Sequence, residues 1–230
     1  MLSQFMKSTI LAGALALQLT PAVHAGSNDE SPTFFIVVEN GGVITDPDAQ
    51  AEAIRLTLGE LSELRRRRAT RDSDIHIITS ANPTEITWSG TPEQLYEQGA
   101  SVLESLSIIP TCSDLELAWD QVRTTVRITR PDDLRLIGIG PFIHAGYPCD
   151  EGDGLITLPQ DVPAEVQLGS LALEASFTRL LNLHADQEEM VLDHLEATGA
   201  LARADAGELD LDLMDRARTR SNLGNILGRE

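Results

Sequence analysis

The stretch from residue 34 to residue 42, Phe-Phe-Ile-Val-Val-Glu-Asn-Gly-Gly, decides the fold class. Its five leading apolar residues form an uninterrupted run, which is typical of a strand buried on both faces. The two glycines end the strand, and Asp46-Pro47 then provides an N-cap and a first-turn proline for a helix. Ile54, Leu58 and Leu61 recur at helical spacing, so this helix has one buried face. The order is strand, glycine loop, helix.

The next segments predict a pair of strands followed by two helices. Residues 75–78 and 85–88 read as strands, and the turn-like Ala81-Asn82-Pro83 between them is short enough to favour an antiparallel pair. Capping boxes begin at Thr91 and at Ser113, and each predicts the start of a helix with an apolar face.

The second half of the chain predicts a strand at 134–139, a long surface loop over 140–162, a strand at about 176–183 and a helix that opens at Asp186 and ends near Gly199. This succession predicts an α/β fold with a three-layer, mostly parallel, doubly wound (Rossmann-like) sheet in a single domain. We place that domain at 33–199, after a flexible lead-in at 26–32. Residues 200–230 form a C-terminal extension that can hold an edge strand and a helix.

The first 25 residues have the pattern of a secretory signal peptide. Lys7 precedes an apolar run from Ile10 to Leu19, and small residues at Val23-His24-Ala25 predict cleavage before Gly26. A membrane anchor is the alternative, but the apolar run is shorter than the roughly 20 residues needed to span a bilayer. We therefore expect a periplasmic or secreted protein with no membrane insertion after cleavage.

The charge of the chain excludes one class of partner. It carries 17 Lys and Arg against 36 Asp and Glu, a formal net charge of −19. A field of this sign repels nucleic acid and anionic lipid, so we expect no nucleic-acid partner.

Two cysteines, Cys112 and Cys149, lie in the mature chain. An even number of cysteines in an exported protein favours one disulfide, with two buried free thiols as the alternative.

The order of elements and the positions of the loops resemble the von Willebrand factor A domain over most of residues 34–199. In that family an Asp-x-Ser-x-Ser loop after the first strand, a later threonine and an aspartate after the fourth strand hold a divalent cation. Here the first loop reads Glu39-Asn40-Gly41-Gly42-Val43, Thr111 or else Ser113 stands at the threonine position, and Gly140-Pro141 replaces the aspartate.

The resemblance therefore implies a degenerate metal-ion-dependent adhesion site. A hard cation needs several oxygen ligands, and this set has lost both hydroxyls and one carboxylate. We expect no bound metal and no cofactor, although Asp150 and Asp153 could reach back from the long loop. The family geometry also places Cys112 and Cys149 at one end of the sheet, where a disulfide would join two of the loops.

The function that these observations favour is a non-catalytic binding or assembly module whose partner is another exported or envelope protein. Ligands of open α/β sheets bind at the carboxyl ends of the strands. The residues expected to contact the partner there are Glu39, Asn40, Thr111, Ser113, Asp150 and Asp153.

Two other functions remain as alternatives. An exported α/β hydrolase would need a Gly-x-Ser-x-Gly nucleophile turn, which is absent, and only Ser80, Ser89, Ser113, His144 and His184 could be recruited in its place. Weak calcium-dependent binding could use the acidic run from Asp150 to Asp153, which lacks the rest of the EF-hand pattern.

Overall fold

A computed structural model of the chain describes residues 31–42, 44, 46–109, 114–142 and 166–228. Six strands form one sheet, and they are β1 (Thr33–Val38), β2 (Asp74–Thr79), β3 (Asn82–Gly90), β4 (Leu134–Ile139), β5 (Phe177–Leu183) and β6 (Asp210–Asp215). Their order across the sheet is β3-β2-β1-β4-β5-β6. Only β3 runs antiparallel to its neighbour. The structure confirms an α/β domain with one mostly parallel sheet.

Seven α-helices lie within the described ranges. They are α1 (Pro47–Glu63), α2 (Pro92–Ser105), α3 (Leu115–Thr129), α4 (Leu168–Ala172), α5 (Ala185–Thr198), α6 (Ala200–Asp205) and α7 (Arg216–Asn222). Strand β1 shows how they cover both faces of the sheet. Phe34 and Ile36 pack in the core beneath α1 and α2, whereas Phe35 and Val37 pack in a second core with α3, α4 and α5. Alternation along a strand that is buried on both faces thus produces two cores.

Three element boundaries differ from the sequence prediction. Asn82 and Pro83 belong to β3 rather than to a turn, because the antiparallel pair closes directly after β2. The N-cap of α3 is Asp114, whose Oδ1 accepts from Leu117 N at 2.9 Å. Helix α5 begins at Ala185 instead of after Asp186, because the Nδ1 of His184 accepts from Asp186 N at 3.3 Å and so caps the helix at an earlier residue.

The sheet continues beyond residue 199. Strand β6 pairs in parallel with β5 over six residues and forms one edge of the sheet, and α7 follows it directly. The extension at 200–230 therefore includes the last strand of the sheet. Of the helices that the structure describes, none has the length and apolar character needed to cross a membrane. The predicted signal at 1–25 lies outside the described residues.

Candidate functional site

Glu39 is the first residue after β1, at the carboxyl edge of the sheet. Only 2% of it is exposed, and its Oε1 accepts a hydrogen bond from Phe142 N at 2.6 Å. Gly140 makes room for it, because a Cβ on Gly140 would lie 2.5 Å from the Cβ of Glu39. Gly140 also has φ = 153°, a conformation that favours glycine. The Glu39 carboxylate therefore joins the end of β1 to the loop that leaves β4.

Asn40 is buried next to Glu39 and connects three loops. Its Oδ1 accepts from Ala81 N at 3.2 Å, its Nδ2 donates to Ser107 O at 3.3 Å, and its carbonyl accepts from Ile109 N at 2.8 Å. These contacts hold the ends of β1, β2 and α2 together. The structure thus shows a structural role for both first-loop residues that we expected to contact a partner.

The other residues expected at the site are Thr111, Ser113, Asp150 and Asp153, together with the cysteines Cys112 and Cys149. All six lie outside the described residues. Their approach to Glu39 and the disulfide both remain predictions.

Gln50 closes the point where the strand order reverses, between β1 and β4. Its Nε2 donates to the carbonyls of Glu39 and Ile139, both at 2.9 Å. Doubly wound folds bind ligands in the crevice at this switch point. Here the Gln50 side chain, which is 2% exposed, occupies that position. The sequence offered one signal that we missed, since Gln50 is a polar residue four positions before Ile54 on the buried face of α1.

Asn182 continues this network at the end of β5. It adopts φ = 61° where the pairing of β5 with β6 shifts register. Its Nδ2 donates to Gln50 Oε1 at 3.2 Å and its backbone N donates to Thr219 Oγ1 at 2.8 Å. Asparagine adopts this left-handed conformation more readily than most non-glycine residues, and these hydrogen bonds hold it there. No motif in the sequence indicated this role.

An open cleft of about 670 Å³ lies beside Asn182, on the same edge of the sheet. Its wall is mainly apolar, and Asp46, Asp215 and Arg216 are already engaged in the structure, whereas Arg220 makes no ion pair within the described residues. Asp46 caps α1 through Ala49 N and pairs with Arg216, while Asp215 caps α7 through Arg218 N. The lining residues come from the starts of α1, α5 and α7 and from the ends of β4, β5 and β6; they include Ile44, Pro141, Leu183, His184 and Ala217.

The serine and histidine side chains do not form a triad in the described part of the chain. Ser80 is buried and accepts from Asn40 N. Ser89 bonds to Nδ1 of His76 at 2.9 Å across β2 and β3, far from the carboxyl edge. Burial lowers the pKa of His76 below 6.5, against the opposite effect of Asp74, and its ring stacks on Phe35 at 4.7 Å. Within the described residues, the histidine that lies at ion-pair distance from a carboxylate is His184, whose Nδ1 is 3.8 Å from Asp186 Oδ2.

The described residues contain no group of three or more His, Cys, Asp or Glu side chains that could hold a metal ion. His76 lies on β2, His184 precedes α5 and His194 lies within α5. Each of these histidines makes its own separate contacts.

No protein-family model and no curated protein matches this sequence. Solved structures do match the fold. The PilB minor pilin from Streptococcus sanguinis matches with a TM-score of 0.55 and 7% identity over 85% of this chain. An aspartate-to-alanine mutant of that pilin matches with a TM-score of 0.50, 8% identity and the same 85% coverage. The fold resembles that of a minor pilin. The match spans 60% of the pilin chain, and at this identity the likeness concerns the fold alone.

Proposed function

We propose that this chain is an exported, non-catalytic binding or assembly module that meets another exported or envelope protein with the carboxyl edge of its sheet. The fold likeness to a minor pilin supports an assembly role, because a pilin is by name a component of a pilus. The signal-like first 25 residues support export. The resemblance to von Willebrand factor A domains with a degenerate cation site belongs to the same proposal.

One observation carries this proposal: the switch-point crevice is filled with protein atoms, while an open cleft lies beside it. Gln50 and Glu39 occupy the position where a nucleotide or small substrate would enter a doubly wound sheet. The cleft next to Asn182 is lined by residues from six elements and has largely apolar walls. A partner side chain inserted there would bury apolar surface without displacing the existing hydrogen bonds.

The strain at this edge also supports a binding role. Phe142 and Asn182 both have positive φ, at 60° and 61°, and both lie at the carboxyl ends of strands. This conformation costs a bulky residue such as Phe142 about 1–3 kcal/mol, whereas asparagine tolerates it better, and strained residues are common at functional sites. Phe142 donates to Glu39 and Asn182 donates to Gln50, and such preorganisation of the edge lowers the entropy lost when a partner binds.

A photo-crosslinking amino acid placed at Ala217 tests the proposal in the organism that makes the protein. Ala217 is exposed and lines the cleft. Asp132 is an exposed control at the opposite, amino-terminal edge, just before β4. We expect a discrete crosslink to an exported protein from Ala217 and none from Asp132. Equal capture from both positions, or from neither, would contradict the proposed face.

Thermal unfolding in calcium, magnesium or EDTA tests the absence of a metal, since a ligand that prefers the folded state raises its stability. We expect the same midpoint in all three. A rise with calcium or magnesium would instead support a working cation site and the calcium-dependent alternative.

A further inference from the structure

A row of uncharged side chains follows the solvent side of α3. Leu117, Gln121, Thr124 and Ile128 are spaced four, three and four residues apart and therefore share one face of the helix. We call these four residues the α3 crest. Ile128 is 77% exposed, the largest exposure of any large apolar side chain in the described ranges, and Leu117 is 42% exposed.

Single exposed apolar residues are normal on protein surfaces, so the crest alone indicates nothing. Its charged flank is more informative. Glu116 and Asp120 lie in the first half of α3, and Arg123 and Arg127 lie in the second half. At about 100° per residue, all four fall on the same side of the crest.

None of these four charges forms an ion pair in the part of the chain that the structure describes. Glu116, Asp120 and Arg127 make no salt bridge there, and the Nη1 of Arg123 donates to Ser170 Oγ on α4. One flank of α3 therefore has an acidic half and a basic half that do not neutralise each other within the chain.

We propose that the α3 crest is a self-association surface, on which a second copy of this chain docks its own α3 in the antiparallel direction. A two-fold axis between Gln121 and Thr124 would bring Leu117 of each copy against Ile128 of the other. In an antiparallel pair the same flanks of the two helices meet. Glu116 then faces Arg127 of the second copy, and the acidic half of each flank lies against the basic half of the other.

The interface is small, and the association is correspondingly weak. The crest spans about 16 Å along α3, so a helix pair buries less than the roughly 1,200 Å² of a stable complex. The net charge of −19 on each copy opposes association, but salt at physiological strength screens charges beyond about 8 Å. We expect a dissociation constant on the order of 100 µM.

Sedimentation equilibrium of the mature chain over a concentration series around about 100 µM tests the proposal. Wild type should self-associate. Glu116→Arg should remain monomeric, because the introduced guanidinium would face Arg127 of the second copy. Arg127→Glu should also remain monomeric, because the introduced carboxylate would face Glu116 of the second copy. An equimolar mixture of the two variants should associate, because both facing pairs in the mixed dimer are of opposite charge.

The mixed dimer removes both of the repulsive contacts that each single variant introduces. The arginine introduced at position 116 of one copy faces the glutamate introduced at position 127 of the other, and the native Arg127 of the first copy faces the native Glu116 of the second. Every facing pair in the mixed dimer is therefore of opposite charge, and this is why the mixture should associate.

The controls separate this effect from net charge and from misfolding. Glu104→Arg on α2 makes the same charge change at an exposed site away from α3 and should associate at least as well as wild type. Circular dichroism should show the same helical content for all variants.

Monomeric wild type, single variants that associate like wild type, or a mixture that stays monomeric would each overturn the proposal. If wild type is monomeric and a crosslinker at Ile128 captures a different exported protein, the crest docks another partner and self-association is wrong. The Ala217 crosslink concerns another face, so its failure and the failure of this inference are distinguishable.

Discussion

Replacing Gln50 with methionine is expected to destabilise the folded protein by about 2–4 kcal/mol. The substitution keeps the length of the side chain and removes three hydrogen bonds, two donated to the carbonyls of Glu39 and Ile139 and one accepted from Asn182. Each buried hydrogen bond contributes about 0.5–1.5 kcal/mol net, and a polar group left without a partner adds to the loss. Because Ile139 O also accepts from Glu39 N, it keeps one partner, and this limits the total.

Urea unfolding measures this loss directly. With a slope of about 2 kcal/mol per M, the midpoint of Gln50→Met should fall by about 1–2 M. Gln98→Met is the matched control, since Gln98 is exposed and accepts one hydrogen bond from Trp88 Nε1; it should change stability by less than about 0.5 kcal/mol. Equal midpoints for the two variants would refute the argument that Gln50 closes the switch point.

The charged analogue Gln50→Glu adds a dependence on pH. An ionised carboxylate cannot donate to the Glu39 and Ile139 carbonyls, so the folded state should favour the protonated acid and raise the pKa of this group above its unfolded value of about 4.3. Below that pH both states are protonated and no charge penalty applies. Above it, the deficit relative to wild type should grow by up to about 1.4 kcal/mol per pH unit until the folded pKa is passed. A deficit that does not change between about pH 4 and pH 7 would contradict this account.

Three further outcomes can be checked by unfolding experiments. Gly140→Ala should destabilise the protein by about 1–3 kcal/mol, because the added Cβ would meet Glu39. Gly59→Ala inside α1 should stabilise it by about 0.5–1 kcal/mol, because its added Cβ would have no contact within 4 Å. Melting temperatures that move in the same direction for both variants would contradict this. Burial lowers the pKa of His194, whose Nε2 accepts a hydrogen bond from a backbone N–H. The free energy of unfolding should therefore be highest above about pH 6.5 and should fall as the pH drops below that value. His194→Gln should make this dependence on pH weaker. Arg203→Met should cost about 2–3 kcal/mol by chemical denaturation, because the guanidinium donates to the carbonyls of Ala172 and Ala175 at the end of α4 and of Glu208 before β6. An unchanged midpoint would count against this anchor.

The periodicity of the sequence was sufficient to predict the layers of the fold. Phe34 to Val38 is apolar at every position because β1 is buried on both faces, and this pattern requires neighbours on each side. The capping box at Thr91 placed the start of α2 because local hydrogen bonds determine it. Asp186 misled the prediction of α5 because a histidine at position 184 acts as the cap, and sequence preferences for N-caps do not include histidine.

The candidate site was less accessible to sequence reasoning because its contacts join residues far apart in the chain. Glu39 and Asn40 lie at the carboxyl edge where the sequence placed them, but their burial depends on Phe142, Ser107 and Ala81. Nothing in the local sequence shows that Asn182 lies at a register shift of β5 or that Gln50 reaches it. Single-sequence patterns report faces of elements, whereas this site depends on which loop ends meet.

The two edges of the sheet bear on how such a module can assemble, because an open edge strand is a template for adding a strand from another chain. Strand β3 has register shifts in its pairing with β2 and contains Pro83, which has no N–H to donate. On the other edge, Arg218 donates from its Nη1 to the carbonyl of Leu213 in β6 and also pairs with Asp212. Both edges are therefore poorly suited to strand addition. We therefore expect the proposed association to use side-chain surfaces, of which the carboxyl-edge cleft and the α3 crest are the two candidates.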